Sequence, residues 1–189
     1  HMIDEIFTLS KVETLNDASR QKLKLHEVLE TVANTVRPLA EAKALQFIIE
    51  YDNQSCFILG NKGQLQRLFS NLIGNAIHYT EEGSIRIRTQ IKLDRIVIII
   101  SDTGIGIPLD DLPRIFDRFY RADMSRTRPS TDHYISLAGN DFASSSNTGS
   151  GLGLAISQQI AEAHGGKLLA QNHPETGGGW LSIVMTTQP

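Results

Sequence analysis

The stretch from Asn61 to Thr80 constrains the fold of this chain more than any other segment. Its apolar residues recur at steps of three and four, so they share one face of an α-helix that needs a core to pack on. Asn61 is suited to cap the first turn, because a short amide side chain accepts a hydrogen bond from a free helical N–H. The pattern therefore predicts one amphipathic helix, whose buried face consists of Leu65, Leu68, Phe69, Leu72, Ile73, Ala76 and Ile77.

The same predicted helix carries a polar row beside its apolar face. Asn71, Asn75 and His78 follow one another at i, i+4 and i+7, and Tyr79 lies at the edge of the apolar stripe. One interpretation is that the asparagines simply face water. The other is that they form the wall of a pocket, which would explain why two poor helix formers occur in one helix.

Composition narrows the class of protein. The chain has 189 residues, 40% of them hydrophobic and 21% charged, which is typical of one globular domain. Nucleic-acid-binding domains usually carry an excess of positive charge, whereas this chain has a net charge of -3, so we expect no nucleic-acid partner. The single cysteine, Cys56, excludes an internal disulfide and any multi-cysteine metal site. It is interpreted as a buried thiol in a reducing compartment, which predicts a cytoplasmic location.

Two features concern the ends of the chain and the membrane. No apolar run approaches the roughly 20 residues that a membrane span needs, and there is no signal peptide, so we expect no membrane contact by this fragment. Residues 1–2, His-Met, are interpreted as the remnant of a cleaved tag. The natural chain is therefore expected to extend upstream, which leaves open a membrane anchor in the full-length protein.

Periodicity predicts a mixture of helices and strands around the central helix. Ser84–Ile91 alternates like a half-buried strand, and Ile96–Ile100 is a β-branched run that predicts a central strand covered on both faces. Pro38 predicts a kink or break in the helix around it. The other predicted elements are helices at Ile3–Ala18, His26–Lys43, Leu109–Phe116 and Leu154–His164, strands at Lys22–Leu25, Leu45–Tyr51, Cys56–Leu59, Lys167–Asn172 and Trp180–Thr186, and a long irregular loop at Arg121–Ser150.

Asp102 is expected just past the end of the central strand, where side chains emerge into crevices of layered folds. A carboxylate held there can accept a hydrogen bond from an exocyclic amine such as that of adenine, whereas guanine presents an oxygen at that position. Gly104 and Gly106 allow the backbone to turn sharply and to approach a flat ring. The alternative is that Asp-x-Gly is only a turn.

A second glycine cluster, Gly149, Gly151 and Gly153, precedes the predicted helix at Leu154. Glycines at a helix N-terminus can present free N–H groups to phosphate. No Gly-Lys-Ser/Thr follows and no strand immediately precedes, so the segment is neither a P-loop nor a Rossmann fingerprint. The alternative is that these glycines only end a flexible loop. Beside a phosphate site, the carbonyl oxygen of Asn75 would suit a Mg²⁺ ion that phosphates and waters otherwise hold.

Four segments, in this order, resemble the sequence boxes of the ATP-binding catalytic domain of bacterial sensor histidine kinases. NLIGNAIHYT is similar to the asparagine box, DTGIGIP to the first glycine box, IFDRFYRAD to the phenylalanine box and GSGLGLAI to the second glycine box. The resemblance covers Lys22 to Gln188, and Ile3–Ala18 resembles the end of the second helix of the dimerisation domain of that family. The implied domains are therefore a helix end at 3–18 and an ATP-binding domain at 22–188 with a long lid at 121–150.

The resemblance implies a Bergerat-type fold, an α/β (α+β) two-layer sandwich with a mixed sheet and helices on one face. It implies ATP and Mg²⁺ as ligands, with Asn75 on the metal, Asn71 near the phosphates and Asp102 on the adenine amine. Arg121 would meet the transferring phosphoryl group, and His78 would lie near the phosphates. The remaining implied contacts are Tyr79, Ile107 and Leu152 along the base, Gly104 and Gly106 around it, and Gly149, Gly151 and Gly153 at the phosphates.

Two residues depart from the pattern of the family. His78 stands where a lysine is common, and a neutral imidazole supplies less charge to a phosphate. Gly74 stands where many members have an acidic or polar residue, which puts a general base at that site in doubt. No segment here matches the phosphoacceptor histidine motif, and His26 lies in the wrong context. The chain is therefore expected to bind ATP but to lack its own substrate histidine.

The leading hypothesis is a protein-histidine kinase catalytic domain that transfers the γ-phosphoryl group of Mg-ATP to a histidine on a separate dimerisation domain. Such a domain belongs to two-component signal transduction, so its expected partners are its own dimerisation domain, in a homodimer, and a response regulator. The first alternative is a degenerate kinase, a regulatory module that binds ATP without transfer. The second is another ATPase of the same fold, of the gyrase or Hsp90 type, against which the phenylalanine box argues.

Overall fold

The computed structural model describes residues 20–52, 56–121 and 151–188. The predicted helix at Ile3–Ala18 lies outside these residues, and so do Gly149 and all of the predicted lid except its first residue, Arg121. Within the described residues, no helix combines the length and the apolar character that a membrane crossing requires.

A mixed five-stranded sheet forms one layer of the fold. Its strand order is β2-β4-β5-β7-β6; β2 runs parallel to β4, and the other neighbours are antiparallel. A separate antiparallel pair joins β1 and β3. The strands are β1 Gln21–Lys24, β2 Gln46–Glu50, β3 Phe57–Gly60, β4 Ser84–Lys92, β5 Arg95–Asp102, β6 Lys167–Asn172 and β7 Gly179–Thr186.

Among the described residues, three helices form the second layer: α1 Leu25–Ala42, α2 Lys62–His78 and α3 Gly153–Ala163. They pack side by side, with α2 in the middle, and they bury their apolar faces against one face of the sheet. All seven apolar residues predicted for the face of α2 are buried, and Asn61 caps the helix by accepting a hydrogen bond from the N–H of Gln64 at 3.0 Å. The predicted helix and its cap are therefore confirmed.

The prediction that the central strand is covered on both faces is wrong. β5 is the middle strand of the sheet, but burial alternates along it: Ile96, Ile98 and Ile100 are buried, while Val97 and Ile99 are only half-buried. Isoleucine and valine favour strands whether one face or two are covered, so a β-branched run does not distinguish the two cases. The period-2 burial shows that the described helices cover a single face of the sheet.

Two predictions about local breaks are also corrected. Helix α1 continues through Pro38 without interruption, so the predicted break is absent. The predicted helix at Leu109–Phe116 is instead a succession of turns, with hydrogen bonds such as that from the Arg114 N–H to the Asp111 carbonyl at 2.8 Å. Pro113 lacks the N–H that a continuous helical ladder would need at that position.

The elements converge where α2 ends. The C-terminal end of α2, the end of β5 and the β6–β7 connection meet around the loop that follows Asp102. The N-terminal end of α3 contacts the middle of α2. Apart from Arg121 and Gly149, the sequence-predicted site residues lie on or next to these segments.

Candidate functional site

Helix α2 supplies the polar row that the sequence predicted. Asn71, Asn75 and His78 are half-buried at the rim of the helix's core face, and the side chain of Tyr79, which follows the last helical residue, is 41% exposed. The rings of His78 and Tyr79 meet edge to face with centroids 4.8 Å apart. An added Cβ at Gly74 would meet no atom within 4 Å, so packing does not require glycine there.

Asn71 connects α2 to the start of α3. Its Nδ2 donates to the Ser157 Oγ at 2.7 Å, and that hydroxyl donates to the Gly153 carbonyl at 2.9 Å. The Asn71 side chain lies so close to the backbone of Gly153 that a Cβ added there would lie 2.7 Å from the Asn71 Oδ1. The predicted phosphate-binding segment is thus in direct contact with α2.

Asn75 lies one helical turn beyond Asn71. Its side chain makes no hydrogen bond within the described parts of the chain, although it is half-buried. An amide oxygen that no protein donor occupies is available to an external ligand, and a hard cation such as Mg²⁺ takes oxygen ligands of this kind. The arrangement fits the metal that the sequence led us to expect.

Asp102 is the last residue of β5, which extends two residues further than the predicted strand, and its two carboxylate oxygens are in different situations. Oδ1 accepts hydrogen bonds from the backbone N–H groups of Gly104 and Gly179, both at 2.9 Å. Oδ2 has no hydrogen-bond partner among the described residues. Burial raises the pKa of this carboxyl above its ordinary value, and the bonds from Gly179 and Gly104 act in the opposite direction.

The loop after Asp102 is pressed against the end of α2 and against the β6–β7 connection. A Cβ at Gly104 would lie 2.3 Å from the Tyr79 carbonyl oxygen. Gly106 has a φ of 72°, and a Cβ there would lie 2.2 Å from the Gly177 carbonyl oxygen. No other residue type fits these positions without backbone movement, so both glycines are explained by steric limits. The half-buried Ile107 follows, as the third predicted residue of this loop.

The second glycine segment contacts the turns that follow the loop. The Phe119 N–H donates to the Gly151 carbonyl at 3.0 Å, and a Cβ at Gly151 would lie 2.6 Å from the Phe119 carbonyl carbon. Leu152, predicted beside the base, is fully buried and belongs to the hydrophobic core. Arg121 is exposed and is the last residue described before position 151, so its predicted contact with phosphate remains a prediction.

Three functional contacts of the structure were missed by sequence reasoning. Lys43 donates from Nζ to the carbonyls at the end of α2, Asn172 hydrogen-bonds the backbone of Ile107, and Gly179 holds Asp102. Each of these pairs is separated by more than 30 residues along the chain, so no local periodicity indicates them. The only available signal was the position of Asn172 at the end of a predicted strand, next to a turn.

A groove between α1 and α2 lies apart from this site. It encloses about 90 Å³ and is lined by Thr31, Val32, Thr35, Gln66 and Ser70. None of the predicted site residues lines it, and its polar groups are uncharged hydroxyls and an amide. The chemistry of the candidate site is therefore concentrated at the other edge of α2.

Known proteins share both the sequence and the fold of this chain. The sensor protein SphS of Synechococcus elongatus is 37% identical over 192 residues, a match that covers 100% of this chain and 43% of SphS. The chain thus spans less than half the length of this relative. The mycobacterial sensor histidine kinase MprB has a solved structure that matches with a TM-score of 0.68 and 25% identity, covering 90% of this chain and 99% of that one.

A third match concerns a protein solved with a nucleotide analogue. Full-length ShkA in complex with AMPPNP matches with a TM-score of 0.70 and 24% identity, over 89% of this chain and 31% of ShkA. The family model described as "Histidine kinase-, DNA gyrase B-, and HSP90-like ATPase" matches residues 60–187, which include all four sequence boxes. The chain therefore belongs to the family of histidine kinase-, DNA gyrase B- and HSP90-like ATPases.

Proposed function

We propose that this chain is the ATP-binding catalytic domain of a sensor histidine kinase, which binds Mg-ATP and transfers its γ-phosphoryl group to a histidine on a separate helical domain. The observation that carries the proposal is the Asp102 carboxylate, whose Oδ1 is held by two backbone N–H groups while Oδ2 has no partner within the described residues. A carboxylate oriented in this way is prepared to accept a hydrogen bond from the amine of adenine.

The carboxylate also provides a reason for base selectivity. In the proposed complex, the adenine amine donates to the Asp102 Oδ2, and Oδ1 keeps its bonds to Gly104 and Gly179. Guanine would present a carbonyl oxygen to the same carboxylate, so two acceptors would meet and the buried group would stay unpaired. An unmade bond of this kind costs about 1–3 kcal/mol, which is enough to favour adenine clearly.

On the phosphate side, α2 and the start of α3 supply the proposed contacts. Asn75 would ligate Mg²⁺, and the ion would supply positive charge that offsets the charge of the phosphates. Asn71 and the N–H groups near Gly151 and Gly153 would lie along the phosphates, since a helix N-terminus attracts anions. His78 and Arg121 would supply positive charge, Arg121 permanently and His78 only when protonated. We propose the same phosphate contact for Gly149, which belongs to the same glycine cluster in the sequence.

Transfer requires no nucleophile on this chain. The attacking group is the histidine of the separate domain, so the residues here position the nucleotide, orient its phosphates and stabilise charge. The sensor kinases among the related proteins are consistent with this role, and a response regulator is the proposed next acceptor. AMPPNP bound to ShkA supports an adenine nucleotide as the ligand.

Binding is tested by calorimetry with ATP in the presence of Mg²⁺ and again with EDTA. The unmodified chain is expected to bind ATP more tightly with Mg²⁺, and Asn75→Ala is expected to lose that difference, because the amide oxygen is the proposed protein ligand. Gln66→Ala, on the groove side of the same helix, is the matched control and should keep the difference. An equal Mg²⁺ effect in Asn75→Ala and in the unmodified chain would contradict the metal role of Asn75.

Transfer is tested with γ-labelled ATP and a purified dimerisation domain that carries the phosphoacceptor histidine. Label on histidine, stable to base and released by acid, supports the kinase. ATP binding without label would support the second candidate, a nucleotide-binding regulatory module, which His78 and Gly74 favour because both depart from the resemblance described above. Failure to bind ATP at all would contradict both.

A further inference from the structure

Asn172, the last residue of β6, makes two hydrogen bonds with the backbone of a single residue in the loop at 103–108, called here the glycine loop. Its Oδ1 accepts from the Ile107 N–H at 2.7 Å, and its Nδ2 donates to the Ile107 carbonyl at 2.7 Å. The two residues are 65 positions apart in the chain. A side-chain amide presents one acceptor and one donor side by side, so it matches the N–H and C=O of one extended residue in the way that a neighbouring strand would.

These bonds matter because, among the described residues, no other hydrogen bond holds the backbone of Ile107. Residues 103–108 form bends and irregular backbone between β5 and the following turns, so Ile107 has no ladder partner. Gly106 fits tightly against the Gly177 carbonyl, and Gly179 donates to Asp102. The strand ends on either side of the β6–β7 connection therefore hold the loop at two points: the Gly179 N–H bonds Asp102, and the Asn172 side chain bonds Ile107.

We propose that Asn172 is a positioning residue that sets the selectivity of the pocket for adenine. It does so by fixing Ile107, the proposed wall beside the base, at a set distance from Asp102, the proposed acceptor of the adenine amine. The inference rests on the proposed function, because it assigns a role to Asn172 only if a base lies between these two residues. Asn172 does not touch the reacting phosphates in this scheme, so the phosphate side is left unchanged.

The geometry distinguishes among side chains at position 172. Aspartate has nearly the same shape and keeps the acceptor for the Ile107 N–H, but it replaces the donor with an oxygen that faces the Ile107 carbonyl. Alanine removes both bonds and leaves the loop end to solvent. Both substitutions release Ile107, and the aspartate variant does so while side-chain volume is preserved.

The experiment measures the dissociation constants of Mg-ATP and Mg-GTP for the unmodified chain, Asn172→Asp and Asn172→Ala. Asn172→Ala loses both hydrogen bonds, whereas Asn172→Asp loses the bond to the Ile107 carbonyl and places two oxygen atoms against each other, so we expect Mg-ATP to bind about tenfold more weakly in both variants. Mg-GTP, which gains little from Asp102, should change by less than about twofold. The preference for ATP over GTP is therefore expected to shrink several-fold.

Gln171→Ala is the matched control, because Gln171 is the exposed neighbour on the same strand and the alternation of β6 directs it away from the core face. Thermal unfolding, monitored by circular dichroism, establishes that each variant is folded at the temperature of the titration. An unchanged ATP-to-GTP ratio in folded Asn172→Asp and Asn172→Ala would overturn the inference, and so would an equal loss for both nucleotides. A failure of the unmodified chain to bind ATP would instead overturn the proposed function itself.

Discussion

At the scale of single residues, Asp102 shows how the backbone prepares one side chain for one partner. Two N–H groups converge on Oδ1, and both come from glycines, Gly104 and Gly179. A Cβ at Gly179 would lie 2.6 Å from the Asp102 Oδ2, so a larger residue there would obstruct the unpaired oxygen. Two glycines that lie far apart in the chain, Gly104 and Gly179, thus determine which carboxylate oxygen is available.

Replacing this carboxylate is the most direct test of the pocket. In Asp102→Asn, the amide oxygen would keep the bonds from the backbone, and the NH₂ group would face the adenine amine, donor against donor. We expect ATP to bind more than about tenfold more weakly by calorimetry, given the cost of an unpaired buried group. Asp110→Asn, a change at an exposed aspartate, should have no such effect, and equal effects of the two changes would contradict the role of Asp102.

His164 links the beginning of α2 to the end of α3. Its Nδ1 lies 2.7 Å from the Ile160 carbonyl, and its Nε2 accepts from the Asn61 N–H at 3.0 Å. A carbonyl can only accept, so Nδ1 carries the proton and the ring is neutral. Burial lowers the pKa of this imidazole below 6.5; the bond to Ile160 acts in the opposite direction, and the charge of Arg20 lowers the pKa further. His164 therefore has a structural role at the junction of the two helices.

A pH dependence of stability follows from this lowered pKa. The unfolded chain binds a proton at position 164 more readily than the folded chain does, so the stabilisation is fully present above pH 6.5 and is lost as the pH falls through the folded-state pKa. His164→Gln keeps one donor and one acceptor but does not titrate. Urea unfolding from pH 8 to pH 5 should therefore show a smaller loss of stability in His164→Gln than in the unmodified chain. Identical slopes would contradict this assignment.

At the scale of elements, a residue from another part of the chain donates hydrogen bonds to the carbonyl groups at the end of α2. Lys43 follows α1, and its Nζ donates to the carbonyls of Ile77, His78 and Thr80 at 2.9, 3.1 and 3.1 Å. The last carbonyls of a helix have no partners within the helix and carry partial negative charge, so an ammonium group stabilises them. The same helix end contacts the glycine loop, since the Ile105 N–H donates to the Tyr79 carbonyl at 3.4 Å.

Removing this ammonium group should loosen the helix end. We expect Lys43→Met to lower the free energy of unfolding by about 1–2 kcal/mol, because three carbonyls lose a charged donor at a partly exposed position. Lys62→Met is the control: Lys62 is exposed in the first turn of the same helix, where a positive charge is not favoured, so its removal should cost nothing. Equal losses in urea unfolding would show that Lys43 acts through general charge and not through its three bonds.

At the scale of the whole molecule, the three described helices cover one face of the sheet. The alternation along β4, β5 and β7 places one set of side chains in the core and the other on the opposite face. That opposite face also carries the ion pairs of Glu50 with Arg86 and Arg88, at 2.7 and 2.8 Å. The core of the domain is therefore a single layer between the helices and the sheet.

Substitutions of two neighbouring isoleucines of β5 should differ in their cost to stability, because one faces the helices and the other faces the opposite side of the sheet. Ile98 is fully buried, and Ile98→Ala is expected to cost about 2–5 kcal/mol of unfolding free energy, as large-to-small changes in cores do. Ile99 is half-buried on the other face, so Ile99→Ala should cost less than about 1.5 kcal/mol, because fewer apolar atoms lose contact. Urea unfolding measures both. Equal costs would mean that the face bearing Ile99 is covered as well.

Local patterns in the sequence determined the elements and the segments that meet at the site. Periodicity located α2 with its cap, α3 and the strands β4–β7, because both the 3.6-residue and the 2-residue repeats are properties of the backbone alone. The resemblance of four boxes indicated the family before any contact was known. The same local reasoning failed at Leu109–Phe116, where it gave too little weight to Pro113, and at Ile96–Ile100, where strand propensity does not reveal how many faces are covered.

Only the tertiary structure decided how the site is held. The contacts of Lys43 with the end of α2, of Asn172 with Ile107 and of Gly179 with Asp102 each join segments that are far apart in the chain. Hydrogen bonds of this kind produce no periodic pattern in the sequence, because each depends on one donor meeting one acceptor after the sheet and the helices have packed. The sequence therefore determined which chemical groups are present and on which elements they lie, whereas the packing of the sheet and helices determined which atoms of those groups remain free to bind.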